Sequence, residues 1–239
     1  MYKQTIGILG GFGAYATLDF YSRFLKVFES SCERNYPHIY MDNNYTMPSR
    51  TRALLYGDDY EIIVNEICQS IQHMIDINVD YIIMVCGTAH AFLPEVYERI
   101  PLAKEKIINI IECLQRRIDE EEVKTMLVVA AEGTLKKDVY GTSLKKVNCI
   151  SPGEQFYPQI RTFIESVKQN NIDEKTAIEW YCFLEQFKCN NVLLGCTELP
   201  VLVKKINEKY KEVCKKHKSK YRYWDPLDET LDELKRILK

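Results

Sequence analysis

Cys86 and Cys196 share a setting that none of the other seven cysteines has. Each ends an apolar run, residues 79–85 and 191–194, each is followed closely by threonine (Cys86-Gly87-Thr88 and Cys196-Thr197), and each precedes a helix-starting sequence. In open α/β sheets ligands bind beyond the carboxyl ends of the strands, so a thiol placed there faces a cleft. The positive end of a helix dipole next to it is expected to lower its pKa from about 8.5 toward neutrality. A thiolate on one side of a substrate and a thiol on the other suit one chemistry well: one removes a proton from carbon and the other returns a proton to the opposite face, so configuration inverts without a cofactor. The remaining cysteines, Cys32, Cys68, Cys113, Cys149, Cys182, Cys189 and Cys214, are expected to be small inert hydrophobes.

The surrounding pattern alternates strands with helices. Residues 5–9 form an apolar run that breaks at Gly10-Gly11-Phe12-Gly13, and 16–28 then show helical spacing. Residues 38–41 predict a second strand, 42–52 a polar loop, 60–77 an amphipathic helix and 79–85 a strand buried on both faces. The unit then recurs. Strands are predicted at 126–131, 148–150 and 191–194, helices at 154–167 and 174–187, and a short β-like stretch at 221–224 before a helix from Leu227, with Asp225 and Pro226 at its start. This order implies an α/β class with parallel sheets. The two cysteines lie about 110 residues apart, nearly half the chain. If each half is one lobe of a duplicated unit, a pseudo-two-fold axis brings both thiols into one cleft.

Composition sets outer limits. The chain has 239 residues, with 34 acidic against 32 basic side chains, which excludes a generally basic nucleic-acid binder and a disordered acidic chain. No apolar run approaches the length of a membrane span and the N-terminus lacks a signal-peptide core, so a cytoplasmic protein with reduced thiols and no membrane partner is expected. Nine cysteines without a C-x-x-C pair argue against a disulfide framework and a zinc ribbon. The four histidines, His38, His73, His90 and His217, have no metal-like spacing. One charge block stands out: residues 204–222 carry nine basic side chains against Glu208 and Glu212. It reads as a solvated helix and hairpin insertion, with a patch for an acidic partner as the other reading.

Taken together, Ile6-Gly7-Ile8-Leu9-Gly10-Gly11-Phe12-Gly13, Pro48-Ser49-Arg50-Thr51, Cys86-Gly87-Thr88-Ala89-His90, Gly195-Cys196-Thr197-Glu198-Leu199-Pro200 and Asp225-Pro226 form an ordered set. In these motifs the chain resembles the aspartate/glutamate racemase superfamily, nearest its aspartate racemase branch. The resemblance implies two similar α/β lobes related by pseudo-two-fold symmetry, an active site between them, no pyridoxal phosphate or other cofactor, no metal, and a homodimer. The expected division is 1–105 plus 206–239 for the lobe with Cys86, and 106–205 for the lobe with Cys196. The resemblance makes Cys86 and Cys196 the catalytic acid/base pair and gives Arg50 and Lys168 the substrate carboxylates. It places Gly11, Gly87, Thr88, Glu132, Gly133, Thr134, Thr197 and Glu198 in the substrate site. A planar guanidinium fork and a point charge suit such anions.

Several motif positions depart from the family pattern. Gly87 stands where the family has asparagine, Ser49 where it has aspartate, and Ala130-Ala131-Glu132-Gly133-Thr134 replaces a Thr-Thr-Gly-Thr type loop. If Glu132 points inward, it puts negative charge where an anion should bind, and the substrate shifts from aspartate toward an amino acid with a neutral or positive group. The expected activity is therefore a cofactor-independent amino-acid racemase with a substrate altered from aspartate. Alternatives are an isomerase or decarboxylase of a related small carboxylic acid, or a ligand-binding protein that has lost catalysis.

A rival reading starts from Gly11-Phe12-Gly13-Ala14-Tyr15-Ala16, which satisfies G-x-G-x-x-A between a strand and a helix, with Asp42 ending the second strand as a ribose-binding acid would. Alone it suggests a dinucleotide-binding oxidoreductase, but it explains neither matched cysteine. His90 and Glu198 adjoin the cysteines and are placed to orient or polarise them. His90 serves equally as a cap within its lobe.

Overall fold

A computed structural model describes residues 2–215 and 220–238. In chain order the elements are β1 (Thr5–Gly10), α1 (Ala14–Val27), β2 (His38–Asn43), α2 (Arg50–Tyr56), α3 (Tyr60–Asp76), β3 (Tyr81–Met84), α4 (Leu93–Arg99), α5 (Ala103–Lys106) and α6 (Ile110–Glu120). These are followed by β4 (Thr125–Val129), α7 (Glu132–Lys136), α8 (Val139–Ser143), β5 (Asn148–Ile150), α9 (Tyr157–Lys168), α10 (Glu174–Leu184), β6 (Asn191–Leu194), α11 (Glu198–Lys209), α12 (Lys211–Lys215), β7 (Arg222–Trp224) and α13 (Pro226–Ile237).

Two parallel sheets carry the fold, with strand orders β2-β1-β3 and β5-β4-β6-β7. In each, the first strand of the lobe lies between its second and third, so β3 and β6 are topological equivalents. The α/β class with two parallel, helix-flanked sheets is thus as the sequence implies. Strand periodicity joins the lobes. Ile6, Ile8, Ile83 and Val85 turn toward Phe20 and Phe24 of α1 and one large core shared with the second lobe. Leu9, Ile82 and Met84 turn the other way, onto Ile63, Ile67 and Ile71 of α3.

The C-terminal segment corrects the expected division. Of residues 206–239, the described strand β7 does not join the first lobe but extends the second sheet, with Asn191 opposite Arg222 and Leu193 opposite Trp224. The reason is apolar burial, because Trp224, Leu227, Leu231 and Leu234 all enter the core that contains β4 and β6. A partly buried ionic knot then holds α1 against this segment. The Arg23 guanidinium reaches Asp19, Asp225 and Asp228, at 2.9, 2.7 and 2.5 Å.

Other differences are local. The polar stretch 42–52 includes the start of α2, where the Ser49 hydroxyl accepts the Arg52 backbone N–H as an N-cap. The predicted strand 126–131 stops at Val129, and Glu132 opens a short helix. Of the basic block, α11 and α12 account for the part through Lys215, while Lys216, His217, Lys218 and Ser219 lie outside the described residues.

Candidate active site

Cys86 follows β3 by two residues and Cys196 follows β6 by the same interval. Both side chains are buried and both line one small cavity of about 70 Å³ at the carboxyl ends of the strands, between the lobes. Of the residues singled out from sequence, Arg50, Thr88, Lys168, Thr197 and Glu198 line it with them. Phe12, Ser49, Thr51, Ala131 and Ile164 complete the wall. Phe12 is the apolar residue of the glycine turn, and Ile164 is an apolar wall residue that lies in none of the motifs.

The other expected site residues support this cavity from outside its wall. Gly11 takes φ +81°, a left-handed conformation suited to glycine, and any Cβ there would strike the Asn44 backbone. Its N–H donates to the Thr17 hydroxyl at 3.3 Å. Thr134 shares a 2.8 Å hydroxyl bond with Thr88, which ties the second lobe to the Cys86 loop. Gly133 allows α7 to lie against Thr51, and Gly87 packs beneath Cys86 against Tyr140 and Gly195. Glu132 does not point into the cavity: Arg161 and Lys136 pair with its carboxylate. Arg161 projects from α9, a long-range partner that no local motif reveals.

The glycine turn has its own explanation. A Cβ on Gly13 would collide with the Glu198 carboxylate, so the turn is bare there to let Glu198 approach across the lobe boundary. This accounts for the G-x-G pattern without a nucleotide.

Charges converge on the thiols. The Arg50 guanidinium is held by backbone carbonyls, donating to Phe12 O at 2.7 Å, Pro48 O at 2.8 Å and Met47 O at 3.3 Å, while its buried Nε has no partner. The Lys168 ammonium donates to Glu165 at 2.9 Å. Burial would lower its pKa, but Glu165, Glu198 and Cys196 outweigh burial and raise it, so it stays charged. Cys196 Sγ donates to Glu198 Oε2 at 3.0 Å, and the Thr197 hydroxyl donates to the same oxygen at 3.4 Å.

The expectation of a lowered thiol pKa is corrected. Burial pushes Cys86 above its ordinary value, although Arg50 and the Ala89 and Thr88 backbone N–H groups pull it back. Burial pushes Cys196 up much further, reinforced by the Glu198 carboxylate and by Cys86. Desolvation of the thiolate outweighs the dipole effect. After Cys86 comes a 3-10 turn, Thr88–Phe92, which offers no long helix axis pointed at the sulfur. Alkylation by iodoacetamide, followed residue by residue by mass spectrometry, is therefore expected to accelerate with rising pH at Cys86 first and at Cys196 only at higher pH. Equal profiles or the reverse order contradict this electrostatic asymmetry.

His90 is a structural tie. Its Nδ1–H donates to the Cys86 carbonyl at 2.8 Å and its Nε2 accepts the Ile110 N–H at 3.5 Å, at the start of α6. Burial lowers its pKa to about 4, so the ring is neutral. The unfolded chain binds this proton from about pH 6.5 downward. Between these values the folded state holds fewer protons, so stability is full above pH 6.5 and falls as pH drops toward 4, by up to about 3 kcal/mol. Urea midpoints measured across this window are expected to decline in the wild type and to decline less steeply in His90→Gln.

Among the described residues no cluster of three or more His, Cys, Asp or Glu side chains is arranged to hold a metal, and no helix is long and apolar enough to cross a membrane.

The chain is similar to known proteins over most of its length. The sequence profile of the Asp/Glu/Hydantoin racemase family matches residues 9–217. The chain is 23% identical over 204 residues to the broad specificity amino-acid racemase RacX of Bacillus subtilis, covering 81% of this chain and 85% of that protein. It is 25% identical over 170 residues to glutamate racemase 3 of Caldanaerobacter subterraneus, covering 69% of this chain and 60% of that one. In fold it is similar to Picrophilus torridus aspartate racemase, with a TM-score of 0.77 at 20% identity over 98% of this chain and 93% of that chain.

Proposed function

The chain belongs to the Asp/Glu/Hydantoin racemase family, and from that premise we propose that it is a cofactor-independent amino-acid racemase in which Cys86 and Cys196 exchange protons with the substrate α-carbon. The observation that carries this reading is the entry of both thiols into one cavity from equivalent strand ends of the two lobes. RacX is named for broad-specificity amino-acid racemisation, which supports the same reaction class.

Cys86 is the more readily ionised thiol and acts as base toward one enantiomer, its thiolate compensated by Arg50 and two backbone N–H groups. Cys196 begins as a thiol bonded to Glu198 and supplies the proton to the opposite face. In the reverse direction the roles exchange: Cys196 as thiolate takes the α-proton and Cys86 as thiol returns one, and Glu198 relays the proton that Cys196 gains or loses between the two forms. Proton transfer within the pair and its carboxylate conserves charge and needs no redox partner.

Arg50 and Lys168 supply the positive charge for substrate carboxylates. With Glu132 neutralised outside the cavity, the argument against an acidic substrate falls away, and aspartate and glutamate become the first candidates. A homodimer in a reducing cytoplasm completes the proposal, with light scattering as the check on assembly.

The test is a panel of single enantiomers incubated with the protein without pyridoxal phosphate and with EDTA, followed by chiral chromatography. Appearance of the opposite enantiomer of an acidic amino acid is expected. Product without inversion points to isomerisation or decarboxylation and overturns the racemase reading, as does the absence of any conversion.

A further inference from the structure

Tyr140 reaches from α8 in the second lobe to a buried position behind both cysteines. Its hydroxyl donates to the carbonyl of Gly195, the residue immediately before Cys196, at 3.2 Å. It also abuts the residue immediately after Cys86: a Cβ added to Gly87 would lie 2.6 Å from the Tyr140 hydroxyl and 2.6 Å from the Gly195 carbonyl oxygen. Gly87 has φ −60° and ψ −43°, a conformation open to every residue, so space alone requires glycine there. Gly195 is bare for the same reason, since a Cβ on it would lie 2.7 Å from Tyr140 Cε2 and 3.0 Å from the Ala130 side chain. One phenol ring therefore fills the gap between the two cysteine loops, and a glycine on each side admits it. Burial, with Cys196, Asp225 and Cys86 nearby, raises the phenol pKa well above its ordinary value, so the hydroxyl remains a donor.

We propose that Tyr140 is a positioning residue of the thiol pair, a wedge across the lobe boundary that sets how far apart the Cys86 and Cys196 loops stand. The role rests on the two-thiol reading, because transfer to opposite faces of one carbon depends on the separation of the two sulfurs. Small errors in such a separation are costly: a displacement on the order of 1 Å can lower a rate about a hundredfold. The touching surfaces are close-packed and have no slack to absorb a change.

Three variants and two readouts test it. Tyr140→Phe keeps the ring and removes the hydroxyl, Gly87→Ala presses on the wedge from the other loop, and the double variant returns some of the room the methyl needs. In Tyr140→Phe, kcat for inversion is expected to fall about tenfold or more while KM stays within about twofold. Amide hydrogen exchange, read by mass spectrometry, is expected to quicken in both residues 84–90 and 192–198 and to stay unchanged elsewhere. Gly87→Ala should act in the same direction, and the double variant should retain more activity than the product of the single losses predicts. An unchanged kcat in Tyr140→Phe, faster exchange in only one loop, or loosening throughout the molecule overturns the proposal. If the wild type inverts no amino acid, the racemase reading fails by itself, and amide exchange still decides whether Tyr140 holds the two loops together.

Discussion

Replacing Cys86 or Cys196 by alanine is expected to lower racemisation by about a thousandfold or more, within the range that a positioned acid or base contributes. Each thiol serves as the base for one enantiomer and as the acid for the other, so neither direction survives the loss of either. The two enantiomers of an amino acid have equal free energies. Thermodynamics therefore requires kcat/KM to fall by one common factor in both directions, whichever cysteine is removed. The measurement is initial rates from each pure enantiomer for both single variants. A variant that keeps inversion within about tenfold of the wild type shows that its thiol is not a member of the pair. Both thiols are buried and free, and alanine removes one sulfur atom from each loop, so the fold should tolerate either change. Circular dichroism gives the control.

The second large effect concerns Glu198. Its carboxylate is 4% exposed, accepts the Cys196 thiol proton at 3.0 Å, and raises the thiol pKa by its charge. Glu198→Gln keeps the shape and a hydrogen-bonding oxygen but cannot take up a proton. It is expected to lower kcat/KM about a hundredfold, equally from both enantiomers. At the same time the alkylation profile of Cys196 should move to lower pH, because the negative charge that opposed its thiolate is gone. These effects have opposite signs, a more ionisable thiol and a slower enzyme, and a merely structural role for Glu198 would not produce them together. Unchanged activity, or an upward shift of the Cys196 profile, contradicts the assignment.

Much of the site was readable from residue types at strand ends. The matched Cys-x-Thr and Cys-Thr turns predict that both thiols approach the carboxyl edge of a parallel sheet, and the cavity contains both. Arg50 and Lys168 enter only through the family resemblance, and Glu198 through its place beside Cys196. What could not be read depends on partners distant in the chain. The direction of Glu132 is decided by Arg161 on α9, and the address of β7 by the burial of Trp224 beside β6. A three-residue strand has too little pattern to name its neighbour. The helices α4 and α5 are short and broken at Ile100 and Ile107, so no apolar period builds up in them, whereas α6 carries Ile110, Ile111, Leu114 and Ile118 at helical spacing. The thiol pKa departs from the dipole expectation for a related reason: the dipole is a local feature, whereas the burial that outweighs it is made by both lobes. Tyr140 has no motif around it at all, and only the three-dimensional contact shows why Gly87 and Gly195 are bare.

The central claim is that two thiols act on one α-carbon, and its most direct measurement is proton exchange from deuterated solvent. Each enantiomer of aspartate and glutamate, and then of a wider amino-acid panel, is incubated in D₂O with the wild type, Cys86→Ala and Cys196→Ala. The α-proton signal is followed by NMR while chiral chromatography reports configuration. With the wild type, deuterium should appear at the α-carbon of the inverted product as it forms, and both single variants should form inverted product about a thousandfold more slowly. Inversion without solvent deuterium, inversion that stays within about tenfold of the wild type in either variant, or no α-exchange with any amino acid would contradict the account.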